Sequence, residues 1–227
     1  MKLPQETRLH GRWYGDACGT AFALELIGER WSLLVVRELM LGGRRFSDLR
    51  RALPGISAKV LTERLEGLEA AGVLVKRQID LPVPAQIYEL TEWGYLAEPA
   101  IQELGRWAAR SPLHDPQLPL SPVSLMLSMR TMLDKQAAKT FDATIGFDVA
   151  GEGFVAELKG GELPIRRGNP AGAQAIFRVP EAPVIAAMFY AGAPLEALEA
   201  EAGLVVEGDR ELAKRYARLF SLPPKIG

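Results

Sequence analysis

Residues 43–77 read GRRFSDLRRALPGISAKVLTERLEGLEAAGVLVKR, and this stretch decides the fold of the first half of the chain. Ser47 and Ser57 each precede an apolar rhythm, and Pro54 with Gly55 favours a tight turn between them. A serine hydroxyl accepts hydrogen bonds from the exposed N–H groups of a first helical turn. Ser47 therefore predicts a short helix over residues 48–53, and Ser57 predicts a longer one over residues 58–71.

A basic hairpin is expected directly after the longer helix. Gly72 supplies the left-handed residue that ends this helix. Residues 73–79 alternate and are rich in β-branched side chains, and residues 86–90 resume that pattern after two prolines have broken it. Thr91 then opens a further helix, which is predicted to run to about residue 109.

The order of these elements is that of a winged helix-turn-helix. Upstream, apolar positions between residues 17 and 40 predict two more helices that meet near Gly28. In a winged helix-turn-helix the second helix of the motif enters the major groove of DNA and the hairpin contacts the backbone. A plain helical bundle with a solvated face is the alternative interpretation of the same pattern.

The long helix predicts which side chains face DNA. Leu61, Leu65 and Leu68 fall on one face and are expected to pack against the earlier helices. The first turns of the opposite face select the candidate base contacts Ser57, Lys59, Thr62 and Glu63. The candidate phosphate contacts are Arg44, Arg45, Arg64 and Arg77.

Positive charge is concentrated in this part of the chain. Residues 30–77 contain ten Lys/Arg and five acidic residues, a balance of +5, whereas the whole chain has a net charge of −1 and the remainder is therefore at −6. Such a count alone does not distinguish a DNA-binding surface from a solvated face.

Length and composition favour two soluble domains. The chain has 227 residues, 48% hydrophobic and 24% charged, and no apolar run approaches the roughly 18 residues of a membrane span. The N-terminus lacks the apolar core of an export signal, and a single cysteine suits a reducing compartment, so we expect a cytoplasmic protein without a membrane partner. The expected domains are 1–110, for DNA binding and dimerisation, and 123–227, joined by the proline-rich linker 111–122.

The second domain shows a different pattern. A helix near residues 123–138 precedes several glycine-bounded strands, and shorter helices and a last strand follow. We therefore expect an α+β chain, with an N-terminal winged helix-turn-helix followed by an α+β domain whose mainly antiparallel sheet is covered by helices.

The first domain resembles a known family. The stretch that begins CGTAFALELIGERWSLLVVRELML at residue 18 and continues through residue 77, with VPAQIYELTEWG at 83–94, is similar to the HxlR-type transcription regulators over about residues 15–110. The resemblance implies a winged helix, a homodimer paired through terminal helices, and binding to double-stranded promoter DNA.

The resemblance also assigns parts of this chain. Ser57 to Arg64 would form the recognition helix and residues 73–90 the wing. Residues 91–110 would form the dimerising helix, with an apolar face made of Leu96, Ile101, Leu104 and Trp107. Two features depart from the family: acidic Asp80 lies at the wing tip, where it would repel phosphate, and more than 110 residues follow the dimerising helix.

The second domain resembles the sterol carrier protein type 2 fold in the order and spacing of its elements over residues 141–220. That fold implies a curved sheet covered by helices, with an apolar tunnel for lipids or other hydrophobic molecules. The candidate ligand contacts are Phe147, Phe154, Met188, Phe189, Tyr190, Leu219 and Phe220. An ordinary role in the hydrophobic core is the alternative for each of them.

Cys18 is the reactive candidate of the sequence. It lies near the start of the first predicted helix, where a helix dipole lowers a thiol pKa, and in some HxlR-type relatives a cysteine at this place senses oxidants or electrophiles. A small buried residue at the dimer contact is the alternative. Since no nucleophile elbow, phosphate-binding loop or metal-ligand cluster is apparent, we expect neither an enzyme nor a metal or cofactor site.

Two functions follow. The first is a homodimeric DNA-binding transcription regulator controlled by a small hydrophobic ligand in the second domain. The alternative is a hydrophobic-ligand carrier whose winged helix serves dimerisation or protein contact. A third class, an enzyme that acts on lipids, lacks residues to which chemistry could be assigned.

Overall fold

The first unit forms most of the helices and the hairpin that caps and periodicity predict, with two departures, at Ser47 and after residue 91. The computed structural model describes residues 14–80 and 84–227. The elements up to residue 95 are α1 (Gly19–Ile27), α2 (Ser32–Leu39), α3 (Phe46–Ala52), α4 (Ala58–Ala70), β1 (Leu74–Ile79), β2 (Ala85–Leu90) and α5 (Glu92–Tyr95). The chain divides into a first unit that ends at Ile101 and a second unit, Gln102–Gly227.

Helix α4 has the expected ends and the expected buried face. The Ser57 hydroxyl accepts a hydrogen bond from the Val60 N–H at 3.2 Å, and Gly72 follows the helix with a φ of 73°. Three leucines form its buried face: Leu61, Leu65 and Leu68. They lie in the core of the first unit beside residues of α2, including Val35, Val36 and Leu39.

The prediction that Ser47 caps the preceding helix is wrong. Helix α3 begins at Phe46, so Arg45 occupies the cap position and makes no side-chain cap hydrogen bond. Ser47 therefore lies inside the first turn, where Asp48 supplies the negative charge that a helix N-terminus favours.

The hairpin is extended at its base by a third segment. β1 and β2 pair in antiparallel register, with Lys76 opposite Tyr88. Arg44 makes an isolated antiparallel bridge to Tyr88, with N···O distances of 2.9 and 2.8 Å in the two directions. The backbone just before α3 is thereby fixed to the wing.

The single helix predicted from residue 91 to 109 is divided in two. The second part is α6 (Glu98–Ala109). Pro99 in its first turn explains the break, because a proline ring clashes with the carbonyl four residues earlier in a continuous helix. Thr91 caps α5 by accepting from the Gly94 N–H at 3.0 Å, and its hydroxyl donates to the Gly72 carbonyl at 2.8 Å.

The second unit is α+β, and its sheet is mixed. After α6 its elements are α7 (Pro122–Met132), a 3-10 helix (Ala137–Thr140), β3 (Ala143–Val149), β4 (Glu152–Leu158), β5 (Ile165–Arg167), β6 (Ala175–Val179), α8 (Ala182–Ala191), α9 (Leu195–Glu201), β7 (Val205–Gly208) and α10 (Arg210–Ala217). The strand order is β5-β4-β3-β6-β7. The β3–β6 pair at the centre is parallel, and the other three pairs are antiparallel. The expected α+β class is confirmed, and the sheet is mixed instead of the mainly antiparallel one that was predicted.

An aromatic cluster fills the core of this unit. The sheet register aligns Phe154, Phe147 and Phe177 in neighbouring strands. Phe147 stacks on Phe177 with ring centroids 5.4 Å apart, and Phe189 of α8 meets the Phe177 ring edge-on at 5.6 Å. The cluster therefore joins the sheet to the helices that cover it.

The segment predicted as a linker is held by the C-terminal residues. The Ile226 N–H donates to the Arg110 carbonyl at 2.9 Å, and the Lys225 ammonium donates to the carbonyls of Ser111 and His114, each at 2.9 Å. Within the described ranges, no helix is long and apolar enough to cross a membrane.

Candidate nucleic-acid interface

The start of α4 presents four of the predicted DNA contacts together. Ser57, Lys59, Thr62 and Glu63 are all exposed, opposite the buried leucine face. The Lys59 ammonium lies 4.0 Å from the Glu63 carboxylate one turn later, an exposed pair that contributes little to stability. The surface therefore presents two hydroxyls, one ammonium donor and one carboxylate acceptor. It lies at the N-terminal end of α4, which is capped by Ser57.

Two of the predicted phosphate contacts do not lie on this surface. Arg44 is buried, with 7% of its surface exposed, because its backbone bridges to Tyr88 at the base of the wing. Only 16% of the Arg64 side chain is exposed, and its guanidinium lies 3.5 Å from Glu29. Both positions result from contacts with residues distant in sequence, which a helical wheel does not predict.

The wing carries paired cations. Arg77 is exposed, and its guanidinium lies 2.8 Å from the Glu89 carboxylate on the opposite strand. Lys76 lies 2.8 Å from Glu69 of α4, and this carboxylate raises the pKa of Lys76. The predicted repulsive residue, Asp80, is exposed, while the remainder of the wing tip, residues 81–83, lies outside the described residues.

Two arginines around α3 are better placed for phosphate contact. Arg45 and Arg50 are exposed, and neither has a carboxylate within 4.0 Å in the described part of the chain. Arg45 was predicted, whereas Arg50 was not singled out although it belongs to the same basic cluster. Their charges are available to phosphate without the loss of an existing ion pair.

Cys18 lies exposed at the N-cap position of α1. The backbone amide of Ala21 lowers the pKa of its thiol, and the amide and hydroxyl of Thr20 act in the same direction. Its own N–H donates to the Asp16 carboxylate at 2.9 Å. The thiol is therefore accessible, and its pKa lies below the usual value of a cysteine.

The second unit contains a pocket of about 370 Å³ between α8, α9 and α10. Three of the predicted ligand contacts line it: Met188, Phe189 and Phe220. Its remaining lining residues are Gly192, Ala193, Pro194, Leu195, Glu196, Lys214, Ala217 and Arg218. The sequence did not point to the charged lining residues Glu196, Lys214 and Arg218, because only the fold brings α9 and α10 together. The four-residue spacing of Lys214 and Arg218 does predict that they share one helical face.

The other four predicted contacts lie elsewhere in the second unit. Phe147 stacks within the aromatic cluster, and the Phe154 ring lies under the Arg167 guanidinium at 4.9 Å. The Tyr190 hydroxyl is 2.7 Å from the Ser128 hydroxyl, and the Leu219 carbonyl accepts from the Asp134 N–H at 2.8 Å. None of the four lines this pocket.

A second depression, of about 650 Å³, lies at one end of the sheet. Its walls carry several charged residues, including Asp142, Glu157, Lys159 and Glu162, and none of the predicted ligand contacts. Residues 14–80 and 84–227 contain no group of three His, Cys, Asp or Glu residues that could hold a metal ion.

Comparison with known proteins agrees with the helix-turn-helix geometry. A family model for the HxlR-like helix-turn-helix matches residues 26–114. The uncharacterized HTH-type transcriptional regulator YvaP of Bacillus subtilis is 41% identical over 87 residues, which cover 38% of this chain and 80% of YvaP. The HTH-type transcriptional regulator YodB of the same organism is 40% identical over 87 residues, 38% of this chain and 77% of YodB.

Among solved structures, the reduced form of YodB from B. subtilis matches 44% of this chain and all of the YodB chain, with 32% identity and a TM-score of 0.39. The family model places its match in the N-terminal half of the chain. By the family model and by its identity to these regulators, the chain belongs to the HxlR-like helix-turn-helix family.

Proposed function

We propose that this transcription regulator acts as a homodimer, reads DNA through the start of α4 and is controlled by a small hydrophobic ligand in its C-terminal domain. The proposed domains are 1–110, for DNA binding and dimerisation, and 123–227, for ligand binding, with 111–122 between them. Membership of the HxlR-like family supports the DNA-binding part of this function.

The single observation that carries the proposal is the exposed face at the start of α4. A winged helix-turn-helix places this end of its second helix in the major groove, where base edges differ in their donors and acceptors. Lys59 has the chemistry to donate to guanine, and Glu63 has the chemistry to accept from the cytosine amino group. Arg45, Arg50 and Arg77 are the proposed phosphate contacts, and Arg44 and Arg64 are left out because they are buried or mostly buried.

Exposed apolar helix surface supports the homodimer. Helix α1 is strongly apolar but has no buried residue, and Phe22 and Leu24 lie on its surface. On α6, Leu104 and Trp107 are 49% and 74% exposed. Apolar surface of this kind is typical of an interface, and two copies of one chain would bury it by symmetry.

The pocket supports ligand control. Its apolar floor and its volume of about 370 Å³ suit a small hydrophobic molecule, as the resemblance to the sterol carrier protein type 2 fold would imply. Phe220 in the pocket bridges to Leu133, and six residues later Ile226 bonds to Arg110 just after α6. A ligand that binds one conformation of residues 220–226 more tightly than another would shift the conformation at the end of α6, the proposed dimerising helix.

The alternative function is a hydrophobic-ligand carrier whose winged helix serves dimerisation or protein contact. The observation that favours it is the pairing of cations with carboxylates on the proposed DNA face, as in Lys59 with Glu63 and Arg77 with Glu89. Such pairs reduce the net positive charge that DNA would meet.

The functions are distinguished by selection of DNA duplexes from a random pool with the full-length protein. The regulator function predicts enrichment of a two-fold symmetric sequence, and Lys59→Ala should relax the selected bases at one position in each half-site. Lys139→Ala is the matched control, because Lys139 is an exposed lysine outside the first unit. If no sequence is enriched, the carrier function is favoured.

A further inference from the structure

Charge is distributed unevenly around the proposed ligand pocket. Its floor is apolar and buried, with contributions from Met188 and Phe189 of α8, Leu195 of α9 and Phe220 after α10. Its charged lining residues are Glu196, Lys214 and Arg218, so two positive charges face one negative charge. A neutral hydrophobic molecule would use only the floor.

One of these cations is already neutralised. The Lys214 ammonium lies 2.8 Å from the Glu196 carboxylate, which joins α10 to α9 at the pocket. The hydrogen bond from Lys214 lowers the pKa of Glu196, so this carboxylate stays charged at neutral pH. Lys214 also lies 3.6 Å from Glu211, which directs it further toward its own acidic neighbours.

Arg218 is the cation that remains. It is exposed, it lies one helical turn after Lys214, and no carboxylate lies within 4.0 Å of its guanidinium in the described part of the chain. A guanidinium presents its donors in a planar fork that matches the two oxygens of a carboxylate. Next to an apolar floor, such a pair is stronger than in open water.

We propose that this pocket binds an amphipathic monoanion, with an apolar body on Met188, Phe189 and Phe220 and a carboxylate paired with Arg218. This inference rests on the proposed ligand control and narrows it to one chemical class. A neutral alcohol of the same length would leave Arg218 without a partner, and an alkylammonium ion would be repelled by it.

Arg218 also follows the C-terminus of α10, where any cation complements the helix dipole. The test therefore has to measure ligand affinity and the preference between two head groups, because a change in protein stability alone would not show that Arg218 binds the ligand. Decanoate and 1-decanol serve as probes because they share an apolar body and differ in the charged head group. Their affinities for the full-length protein are measured by isothermal titration calorimetry, for the native chain, Arg218→Gln and the control Arg215→Gln.

The expected result is that decanoate binds about tenfold or more tightly than 1-decanol, the size expected for hydrogen bonds to a charged group. Arg218→Gln should remove most of this preference and leave the affinity for 1-decanol unchanged. Arg215→Gln removes the same charge from α10, at a residue that lies over the Phe141 ring instead of lining the pocket, and should keep the preference.

Three results would overturn the inference. Equal affinities for the two probes, or a preference that survives Arg218→Gln, would show that the head group is not bound by Arg218, while the proposed hydrophobic ligand control would stand. If neither probe binds, the proposed ligand control itself fails together with the inference.

Discussion

Tyr216 combines a well-packed ring with a buried hydroxyl that has no partner among the described residues. Its ring lies in the aromatic cluster, 5.0 Å from Phe220, and its hydroxyl is buried without a hydrogen-bond partner among the described residues. A buried polar group without a partner lowers stability, and this burial also raises the pKa of Tyr216 well above its usual value. The hydroxyl therefore opposes folding while the ring favours it.

Replacement of this hydroxyl should stabilise the protein. Tyr216→Phe is expected to raise the free energy of unfolding by about 1 kcal/mol in urea titrations, because the cost of the unpaired hydroxyl is removed. Tyr190→Phe is the control: its hydroxyl pairs with Ser128 at 2.7 Å, so its loss should lower the free energy by about 1 kcal/mol. Equal losses for both variants would mean that the Tyr216 hydroxyl has a partner.

Cys18 should react as a thiolate at lower pH than an ordinary cysteine. The nearby Ala21 and Thr20 groups lower the pKa of its thiol, and a lowered pKa means that the reactive form appears earlier as pH rises. Rates of alkylation by iodoacetamide are expected to rise with a midpoint below that of a cysteine peptide, which lies near about 8.5. A midpoint at or above the peptide value would contradict this account.

The proposed sensor role of Cys18 needs a separate experiment. If the thiol controls DNA binding, quinone or peroxide should release the native protein from its selected duplex and leave Cys18→Ser bound. Release of both proteins to the same extent would exclude Cys18 as the sensor.

At the scale of elements, α4 depends on its cap. Ser57→Ala removes the acceptor of the Val60 N–H and should lower the free energy of unfolding by about 1 kcal/mol. Ser57→Asn keeps an acceptor at the cap and should restore most of the loss. Chemical denaturation of the three proteins measures the effect, and equal stability of Ser57→Ala and the native chain would mean that the cap is not needed.

Glu63 on the same element should limit binding to unspecific DNA. Its pair with Lys59 is exposed, so Glu63→Gln should change stability by less than about 0.5 kcal/mol. The variant should bind all duplexes more tightly and distinguish them less, because a repulsive carboxylate and a base acceptor are both lost. Glu66 lies just beyond the first turns of α4 that are proposed to reach bases. Glu66→Gln should therefore raise the affinity for DNA without loss of sequence specificity. If both variants behave alike in anisotropy titrations, Glu63 does not read a base.

Local signals and distant contacts explain which elements the sequence predicts. The Ser57 cap, the leucine face of α4 and the hairpin depend on neighbours within a few residues, and these predictions agree with the structure. The burial of Arg44 depends on a bridge to Tyr88, more than 40 positions away. The parallel pairing of β3 with β6 and the ion pair between Glu196 and Lys214 likewise depend on contacts between separate elements of the chain. Hydrophobic periodicity does not predict such contacts.

At the scale of the whole molecule, the central assembly prediction is the homodimer. Leu104 and Trp107 are exposed apolar residues of α6, so Leu104→Ala with Trp107→Ala should shift the protein toward the monomer in sedimentation equilibrium. Leu113→Ala is the matched control, because Leu113 is 92% exposed in the segment after α6 and is assigned no role in pairing. A dimer unaffected by the double substitution would place the interface elsewhere.

DNA reading by α4 is the central claim, and fluorescence anisotropy of the full-length protein on its selected duplex tests it most directly. Affinity should fall steeply as salt rises, because arginines around α3 and on the wing would displace counterions from phosphates. Lys59→Ala should cost about 1–3 kcal/mol on the selected duplex and much less on a scrambled one, while Lys139→Ala should change neither. Equal binding of the native protein to selected and scrambled duplexes, or equal losses for Lys59→Ala on both, would contradict the account.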